Sequence, residues 1–480
     1  MNKPGKLVMQ DREIPMEGNR LPIELWDGPT YQDILDIDDR FHKTSDVVRE
    51  HRMVDLGNDP IPANRYTSPE FFRKEVEHVF FKTWQYAVRE EEIPEPGDYY
   101  VYELLDRSLL VTRQKDGSIR AFENVCRHRG RRLATQSGCK QMFRCPYHGF
   151  TWEIDGKFRP GPVAWDFPEI DGDDFPLGEV KVGRWAGFVF VNFDPDCAPL
   201  DAFLGPLKRH MDYWMIDHVY KAAHVAKVLP ANWKVVTEAF LENHHVTFTH
   251  PQVSPYTMDA NSQYDVLSDH VTRSISPHGY HGLLYEGPKL SPQEILAVAM
   301  RNGNKAGALT DLEFGPDMTE RHYLATTGRK NLSERTGRDL SDRCDADFID
   351  GYSYDLFPNF HIWGSLATKI SYRFRPLDTE KTLMEVFLYK LAPVDGPPPP
   401  VAMQLLGSDD KWSSCVGDLA YLAGVYDQDE SNIPQTQEGL RQLGDRGIHF
   451  ARYSEIRCRN LHRMIDRYIA HGEALKDADA

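Results

Sequence analysis

The chain has 480 residues and a formal net charge of −17, from 56 Lys and Arg against 73 Asp and Glu. This length allows two or three domains and a sizeable buried core, which excludes a small disulfide-stapled protein. The negative charge opposes binding to a polyanion, so we expect no nucleic acid partner. No apolar run reaches the roughly 20 residues of a membrane helix. The N-terminus also lacks the apolar segment of a secretory signal, so we expect a cytoplasmic protein with no membrane partner.

The first part of the chain predicts a polar arm followed by a small β domain. Residues 1–64 are mostly polar and carry one helical segment at about 30–48. Ser68, followed by proline, is a typical N-cap, and apolar residues then recur at helical spacing, so a helix is predicted over 68–84. Beyond this helix the apolar residues alternate in short runs bounded by turn residues, which predicts strands. We therefore expect a mostly antiparallel domain over residues 65–195, with the helix at its start.

The rest of the chain, residues 196–480, predicts a second domain of longer helices mixed with strands. The predicted elements are a helix over 229–249, a strand pair at 368–376 and 381–391, and helices over 437–469. Residues 255–350 are rich in Gly, Pro, Ser and Asp and show weak periodicity. Because this stretch is too long for an ordinary connection, we expect a lid or an insertion there.

Two short motifs carry the first candidate site. They are Cys126-x-His128 and Cys145-x-x-His148, each on a tight loop, so their thiolates and imidazoles can converge on one inorganic group. Zinc sites usually pair Cys with Cys and His with His, whereas each loop here offers one of each. The pattern suits a two-iron cluster in which two thiolates hold one iron and two imidazoles hold the other, the Rieske arrangement. A zinc site is the alternative.

The chain has seven cysteines, which is a small and odd number for its length. Such usage fits a reducing compartment, where thiols are buried or bind metal. Cys139 lies between the two motifs but fits neither spacing. The cysteines outside the motifs are interpreted as structural thiols: Cys139, Cys197, Cys344, Cys415 and Cys458.

A second cluster of possible ligands lies at His244, His245 and His250. Residues 245 and 250 are about 140° apart on an ideal helix, so one regular helix cannot aim both at one ion, and we expect the backbone to leave helical geometry between them, an exit that Pro251 favours. Glu242 is three residues from His245 and shares its helix face. Iron(II) that binds dioxygen takes two imidazoles and one carboxylate, so the carboxylate must come from elsewhere in the chain. Solvated histidines on a surface helix are the alternative.

The first motif is part of a longer similarity over Phe122–Leu133 and Cys145–Trp152. Across these residues the chain resembles the large, alpha subunit of the Rieske non-haem iron ring-hydroxylating oxygenases. The resemblance implies an α+β fold, with a small antiparallel-β Rieske [2Fe-2S] domain and a larger helix-grip (START-like) catalytic domain that combines an antiparallel sheet with helices. It also implies the cluster ligands, the cysteines on one iron and the histidines on the other: Cys126, Cys145, His128 and His148.

The same resemblance implies a mononuclear iron(II) site with His245 and His250 as ligands. Residues 426–440 are similar to the family's late acidic motif, in which an Asp precedes Gln-x-Gly by eight or nine residues. This spacing selects Asp429 as the carboxylate ligand, with Asp427 as the runner-up. Without the resemblance, the segment would be interpreted as a solvated acidic turn.

Two departures from the family pattern leave alternatives open. His244 stands where the family usually has Tyr, so it competes with His245, although spacing favours His245. Ala239 stands where Asn is common. The family's bridging carboxylate is Asp in many aromatic dioxygenases, whereas Glu242 is more like the members with alpha subunits alone, which include demethylases and monooxygenases. The resemblance implies that Glu242 joins the iron site of one subunit to His148 of its neighbour.

The implied function is that of a terminal oxygenase. It would use O2 and electrons from NAD(P)H, delivered by a separate reductase and possibly a ferredoxin, to hydroxylate a small aromatic or similar apolar substrate. A Rieske monooxygenase acting as an O- or N-demethylase is the alternative. The chain has no Gly-x-Gly-x-x-Gly unit, so the nucleotide must bind to the partner. The resemblance further implies a homotrimer, alone or with a beta subunit. The rivals from other classes are a Rieske electron carrier without chemistry of its own and a zinc-binding protein.

Overall fold

The computed structural model describes residues 29–162, 164–170, 174–302, 318–366, 369–399, 401–420 and 422–479. Its helices are α1 (Tyr31–Asp38), α2 (Asp46–Arg49), α3 (Pro69–Glu75), α4 (Leu200–Leu204), α5 (Pro206–Tyr213), α6 (Trp233–Glu238), α7 (Val246–Thr249), α8 (Pro292–Asn302), α9 (Glu320–Thr336), α10 (Ala346–Ile349), α11 (Ala423–Leu443) and α12 (Ile456–Asp479). In this described part of the chain, none of the helices combines the length and the apolar character that crossing a membrane would require.

The strands fall into two large sheets and two small ones. They are β1 (Ile61–Pro62), β2 (Gln85–Arg89), β3 (Asp98–Leu104), β4 (Arg107–Arg113), β5 (Ile119–Glu123), β6 (Gly138–Cys139), β7 (Met142–Arg144), β8 (Thr151–Glu153), β9 (Phe158–Arg159), β10 (Glu179–Trp185), β11 (Phe188–Asn192), β12 (Val219–Leu229), β13 (Gln263–Val266), β14 (Val271–Ser276), β15 (Gly351–Leu356), β16 (Phe360–Gly364), β17 (Lys369–Asp378), β18 (Lys381–Leu391), β19 (Gln404–Leu405) and β20 (Gly447–Ile448).

The first large sheet contains seven strands in the order β2-β11-β10-β5-β4-β3-β6, all paired antiparallel. A three-stranded antiparallel sheet, β7-β8-β9, accompanies it. The predicted helix over 68–84 is shorter than expected. It begins at Pro69, capped by Ser68, and after α3 it continues only as a π-helical turn over Val76–Phe80. The strands predicted after it are confirmed.

The second large sheet has eight strands in the order β13-β14-β15-β16-β17-β18-β12-β19. Its pairs are antiparallel except β12 with β19, which is parallel, so the sheet is mixed rather than purely antiparallel. Helices α6, α11 and α12 pack against it, and the predicted strand pair is present as β17 and β18. The predicted α+β class is confirmed.

Arg373 on β17 joins the two large sheets. Its Nε and Nη2 donate to both carboxylate oxygens of Glu385 on β18, at 2.7 and 2.6 Å. Its Nη1 donates to the backbone oxygens of Tyr86 and Ala87 on β2, at 2.9 and 2.6 Å. All four residues are buried. A buried guanidinium needs this complete set of acceptors, so the two sheets are held at a fixed distance and angle.

The segment 255–350 is not a single lid. β13 and β14 are buried strands at one end of the second sheet, and β14 pairs with β15 over six residue pairs. The sequence does not predict these strands because many of their buried residues are polar, so no apolar run marks them. Helices α8, α9 and α10 make up the rest of the described segment, and residues 303–317 lie outside the described residues.

The predicted helix over 229–249 is interrupted earlier than expected. Leu229 ends β12, α6 covers only Trp233–Glu238, and turns lead to the short helix α7. The stretch between His245 and His250 is thus helical, and the chain leaves helical geometry at His250 itself, where φ is −122° and ψ is 58°. The histidines can converge because they flank a single turn rather than lying within one long helix. The chain therefore leaves helical geometry at His250, slightly later than the predicted departure between His245 and His250.

The described part of the arm lies on the second sheet. The hydroxyls of Tyr31 and Tyr352 are 2.6 Å apart, and Arg273 Nη1 donates to the backbone oxygen of Val47 at 2.8 Å. β1 pairs with β20 beyond α11. Residues 1–28 of the predicted arm lie outside the described residues.

A buried ion pair ties α3 to α6, the helix that leads to the candidate site. Lys234 Nζ donates to Glu75 Oε1 at 2.6 Å, and neither side chain is exposed. We expect Lys234→Met to lower the free energy of unfolding by about 3–5 kcal/mol, because Glu75 loses its buried cation. Urea unfolding of the full chain measures this. The double variant Lys234→Met, Glu75→Gln is the control and recovers most of the loss; a double variant as unstable as the single one would contradict this account.

Candidate metal centres

The two Cys-His loops share one backbone geometry. In the first, the carbonyl of Cys126 accepts from Gly130 N–H at 2.9 Å, and in the second the carbonyl of Cys145 accepts from Gly149 N–H at 3.0 Å. Both glycines have positive φ, 71° and 77°. A residue with a Cβ is strained there, so glycine lets each loop turn back after presenting its side chains. The two loops therefore have the same backbone turn.

The four side chains on these loops converge. The thiols of Cys126 and Cys145 are buried and face each other, and burial together with the neighbouring thiol raises the pKa of Cys126. The rings of His128 and His148 are 4.7 Å apart between centroids. His128 Nδ1 is buried and has no hydrogen-bond partner among the described residues. A buried ring nitrogen without a partner is costly, and metal ligation would satisfy it, so these residues fit a Rieske [2Fe-2S] cluster.

The second cluster brings three predicted residues together from two segments. His245 and His250 flank α7, and Asp429 lies on α11, at a buried position. His250 Nε2 is 2.9 Å from Asp429 Oδ1, and His245 Nε2 is 3.7 Å from the same oxygen. One ligand atom from each residue lies within 4.8 Å of the other two. Two imidazoles and one carboxylate on one side of an ion are the donor set of non-haem iron(II).

The other ring nitrogens have partners of their own. His245 Nδ1 donates to Glu242 Oε1 at 2.6 Å, and His250 Nδ1 donates to Gln428 Oε1 at 2.9 Å. With Nδ1 held in this way, both rings direct Nε2 at Asp429, which is the arrangement of metal-bound histidines. Burial opposes the charged form of His245, but the Glu242 carboxylate raises the pKa of His245 to about 9. The residues present therefore fit a mononuclear iron.

The two alternative ligands lie elsewhere. His244 Nδ1 is near Ser454 Oγ, at 3.4 Å, on the side of α12. Asp427 accepts from the backbone N–H groups of Trp412 and Ser413, at 2.6 and 3.3 Å, and so caps the 3-10 turn over those residues. Asp429, two residues further along α11, points in another direction because successive residues on a helix are rotated by about 100°.

The His-His-Asp cluster opens into a cavity of about 300 Å³. The rings of Phe240, Tyr372 and Tyr426 line it and contact one another, with centroids 4.9 Å apart for Phe240 and Tyr372 and 6.1 Å apart for the two tyrosines. Tyr426 precedes Asp429 by one turn of α11, and Trp363 on β16 completes the aromatic lining. The cavity is thus both aromatic and adjacent to the metal-type ligands.

A further cluster of possible ligands lies away from this cavity, at His42, His322 and Asp345. His322 Nδ1 donates to Asp345 Oδ2 at 2.7 Å, and Arg329 Nη2 donates to Asp345 Oδ1 at 2.9 Å. The guanidinium already supplies the positive charge that a metal ion would bring, so this cluster is a salt-bridge network that ties the arm to α9.

Sequence reasoning missed the partners that aim the predicted residues. Gln428 could not be identified from the sequence, because the position of an amide next to an acidic motif does not indicate which side chain it contacts. The aromatic residues of the cavity come from three segments far apart in the chain: Phe240, Tyr372 and Tyr426. Gly130 and Gly149 could have been found, because each follows its histidine within two residues in both motifs.

Comparison with known families gives two matches. The model described as "Ring hydroxylating alpha subunit (catalytic domain)" matches residues 209–471, and the Rieske [2Fe-2S] domain matches residues 83–169. The first match covers more than half of the chain. A Rieske [2Fe-2S] cluster and a mononuclear iron are the cofactors expected for this family.

Individual proteins give a consistent result. The chain is 34% identical over 233 residues to the glycine betaine monooxygenase oxygenase subunit of Chromohalobacter salexigens, covering 47% of this chain and 49% of that protein. It is 35% identical over 182 residues to the chlorobenzene dioxygenase subunit alpha of a Cupriavidus species, covering 36% and 40%. The chain thus spans half or less of the length of these curated relatives.

Solved structures show the same fold. A quaternary ammonium Rieske monooxygenase, described for carnitine oxidation and inter-subunit electron transfer, superposes with a TM-score of 0.61 at 21% identity, over 86% of this chain and 96% of that one. At this identity the similarity concerns the fold alone. Together with the two family matches and the convergence of both ligand sets, it leads to one conclusion: the chain belongs to the family of Rieske-type ring-hydroxylating oxygenase alpha subunits.

Proposed function

We propose that the protein is the terminal oxygenase of a monooxygenase system that acts on a small substrate with an N-alkyl ammonium group. The observation that carries the proposal is the set of three aromatic rings beside the His-His-Asp cluster. The main expectation from the sequence is an aromatic or similar apolar substrate, and O- or N-demethylation by a Rieske monooxygenase is its alternative. Relatives of both kinds match the chain, and the character of the cavity favours the alternative.

The charge of the cavity supports a cationic substrate. The carboxylates of Glu242, Asp350 and Asp429 line it, and its described lining includes neither Lys nor Arg. A lining without Lys or Arg offers no side-chain cation to pair with an anion such as an aromatic carboxylate. Aromatic faces also bind a quaternary ammonium group directly, because the negative face of the ring attracts the cation. Phe240, Tyr372 and Tyr426 provide three such rings.

The proposed chemistry is hydroxylation of a carbon next to nitrogen. One oxygen atom enters a C–H bond while O2, two electrons and two protons are consumed and one water is released. The resulting carbinolamine breaks its C–N bond, which yields a tertiary amine, a carbonyl compound and a proton. When bound, the iron supplies dioxygen activation and the Rieske cluster supplies stored electrons. His245, His250 and Asp429 would hold the iron, and the aromatic rings would place the alkyl carbon beside it.

Electrons would come from NAD(P)H through a separate reductase. His148 is exposed beside a groove of about 650 Å³ that also involves Arg144 and Arg159. This exposure leaves the histidine side of the cluster accessible to a partner surface. We propose that in a trimer this surface meets Glu242 of a neighbouring subunit, so that electrons pass between chains over the short path from His148 through Glu242 to His245.

Matched pairs of variants test the iron ligands. We expect His245→Ala and Asp429→Asn to lose the mononuclear iron, one equivalent per chain, because the first removes a donor atom and the second replaces an anionic carboxylate ligand with a weaker neutral amide. His244→Ala and Asp427→Asn are the controls and should retain it, since those side chains lie elsewhere. The measurement is iron and acid-labile sulfide content of anaerobically purified protein, with the visible spectrum as a check on the cluster. Equal iron loss in a control variant and in its matched variant would show that the assigned residue is not an iron ligand.

Glu242→Gln tests the proposed electron path. The amide can still accept the hydrogen bond from His245, so both metal centres should stay occupied. The loss of negative charge between the centres should slow oxidation of the reduced cluster during turnover, measured by stopped-flow absorbance. Iron content equal to that of the parent is the control. Loss of the mononuclear iron, or an unchanged rate, would show that Glu242 does not have this role.

Phe240→Leu tests the aromatic contact with the cation. Removing one ring face should weaken binding of choline by about fivefold to thirtyfold, for roughly 1–2 kcal/mol of cation–π energy. The matched control is Phe248→Leu, because Phe248 lies on α7 but is 78% exposed and outside the cavity. Binding is measured by calorimetry on the anaerobic holoprotein. Equal affinity in all three proteins would contradict the assignment, and tighter binding of an aromatic hydrocarbon than of choline would favour the aromatic alternative.

A further inference from the structure

A buried ionic chain forms part of the cavity wall. Asp350 lies between α10 and β15 and lines the cavity beside Thr257, His278 and Ser353. It is 2% exposed. Its Oδ1 accepts from the backbone N–H of His278 at 2.9 Å and from Arg321 Nη1 at 2.8 Å, and its Oδ2 accepts from Arg321 Nη2 at 2.9 Å.

The guanidinium of Arg321 serves two carboxylates at once. Its Nη2 also donates to Asp38 Oδ2 at 2.6 Å, and its Nε lies 3.2 Å from the same oxygen. Nη1 donates as well to the backbone oxygen of His278. All five N–H donors of Arg321 are directed at these partners, so the guanidinium has nothing left to offer a ligand. Asp38 is the last residue of α1, so the N-terminal arm supplies one of the two carboxylates of this ionic chain.

The ionic chain carries one more negative than positive charge. Two carboxylates and one guanidinium, all no more than 2% exposed, leave a net charge of minus one inside the protein. Burial, with Asp350 and Asp345 contributing, raises the pKa of Asp38, while Arg321 lowers it. The pKa of His278 is lowered by burial, so its neutral ring does not offset the charge. An excess buried charge is costly unless a counter-ion approaches it.

The cavity is the place from which a counter-ion can approach. Asp38 and Arg321 are not among the described residues that line the cavity, whereas Asp350 lines it. We propose that Asp350 is the binding residue for the positive charge of the substrate, and that Arg321 and Asp38 are positioning residues that hold its carboxylate against the cavity. With the substrate bound, negative and positive charges would alternate in the order Asp38, Arg321, Asp350 and substrate cation.

Polar atoms near Asp350 suggest a second feature of the substrate. Thr257 Oγ1 and Trp363 Nε1 are buried, and neither has a hydrogen-bond partner among the described residues. Both belong to residues that line the cavity, and Thr257 pairs with His278 in an isolated bridge. Trp363 Nε1 can only donate, so it needs an acceptor oxygen. An alkylammonium substrate that carries a hydroxyl or similar oxygen would supply such an acceptor.

This inference rests on the proposed function, and one pair of ligands distinguishes failure of the inference from failure of the proposed function. Choline and its neutral carbon isostere 3,3-dimethylbutan-1-ol have the same shape and the same hydroxyl but differ in charge. Their dissociation constants are measured by calorimetry on the anaerobic full-length holoprotein. Wild-type protein should prefer choline. If it binds both equally, the proposed function fails along with the inference; if it prefers choline and Asp350→Asn keeps the same preference, only the inference fails.

Asp350→Asn should weaken choline binding on the order of tenfold, because a close charge pair is lost from a low-dielectric cavity, while binding of the neutral isostere stays unchanged. Asp38→Asn is the matched control, since it removes the same charge from the ionic chain at a distance from the cavity. It should weaken choline binding less than Asp350→Asn does. An equal loss for both ligands, or an equal loss in both variants, would overturn the assignment of Asp350.

Folding is checked by the visible spectrum of the cluster and by the thermal midpoint. Asp350→Asn leaves Arg321 paired with Asp38, so no buried cation is stranded. If that variant is not obtained folded, the charge-free variant Asp38→Asn, Arg321→Gln, Asp350→Asn carries the same test. Its preference for choline over the isostere should fall on the order of tenfold from that of the wild-type protein, and an unchanged preference would overturn the proposal.

Discussion

The hydrogen bond from His245 to Glu242 sets the orientation on which the rest of the catalytic region depends. With Nδ1 bound to the carboxylate, Nε2 is directed at Asp429 and thus at the place where His250 also points. The bond lies in the turn between α6 and α7, where the chain leaves helical geometry. Tyr264 supports that turn, because its hydroxyl accepts from the backbone N–H of Asn243 at 3.1 Å. A continuous helix would carry the two histidines to different sides.

Buried charges connect this region to the rest of the molecule. Arg373 and Glu385 hold the two large sheets together, and Lys234 with Glu75 joins α6 to the helix that precedes the first sheet. Such pairs contribute little net stability, because desolvation offsets most of the attraction. Their value lies in geometry, since a buried charge tolerates no loss of its partner. The ionic chain of Asp38, Arg321 and Asp350 differs because it has one more negative than positive charge, and its Asp350 lines the cavity.

Short motifs were the part of the protein that sequence predicted best. The Cys-His loops could be recognised because each is local: two or three residues and a glycine decide the turn, whatever surrounds it. The strands of the first sheet followed from short apolar runs bounded by turn residues, and these include β11, which is buried throughout. β13 and β14 were missed because many of their buried residues are polar, so no apolar run marks them in the sequence. The extent of the helix around Val235 was wrong because tertiary contacts overrode a helical pattern.

The sequence by itself determined the class of the protein, the two sets of candidate ligands and the requirement for a second carboxylate from a distant segment. Only the tertiary structure shows that His245 rather than His244, and Asp429 rather than Asp427, lies beside His250, because direction in space depends on where a helix begins and what caps it. It also decided the character of the cavity, whose rings and carboxylates come from segments spread between Ala239 and Asp429. No local spacing encodes that convergence, since it results from packing the second sheet, the segment after α6 and α11 around one space.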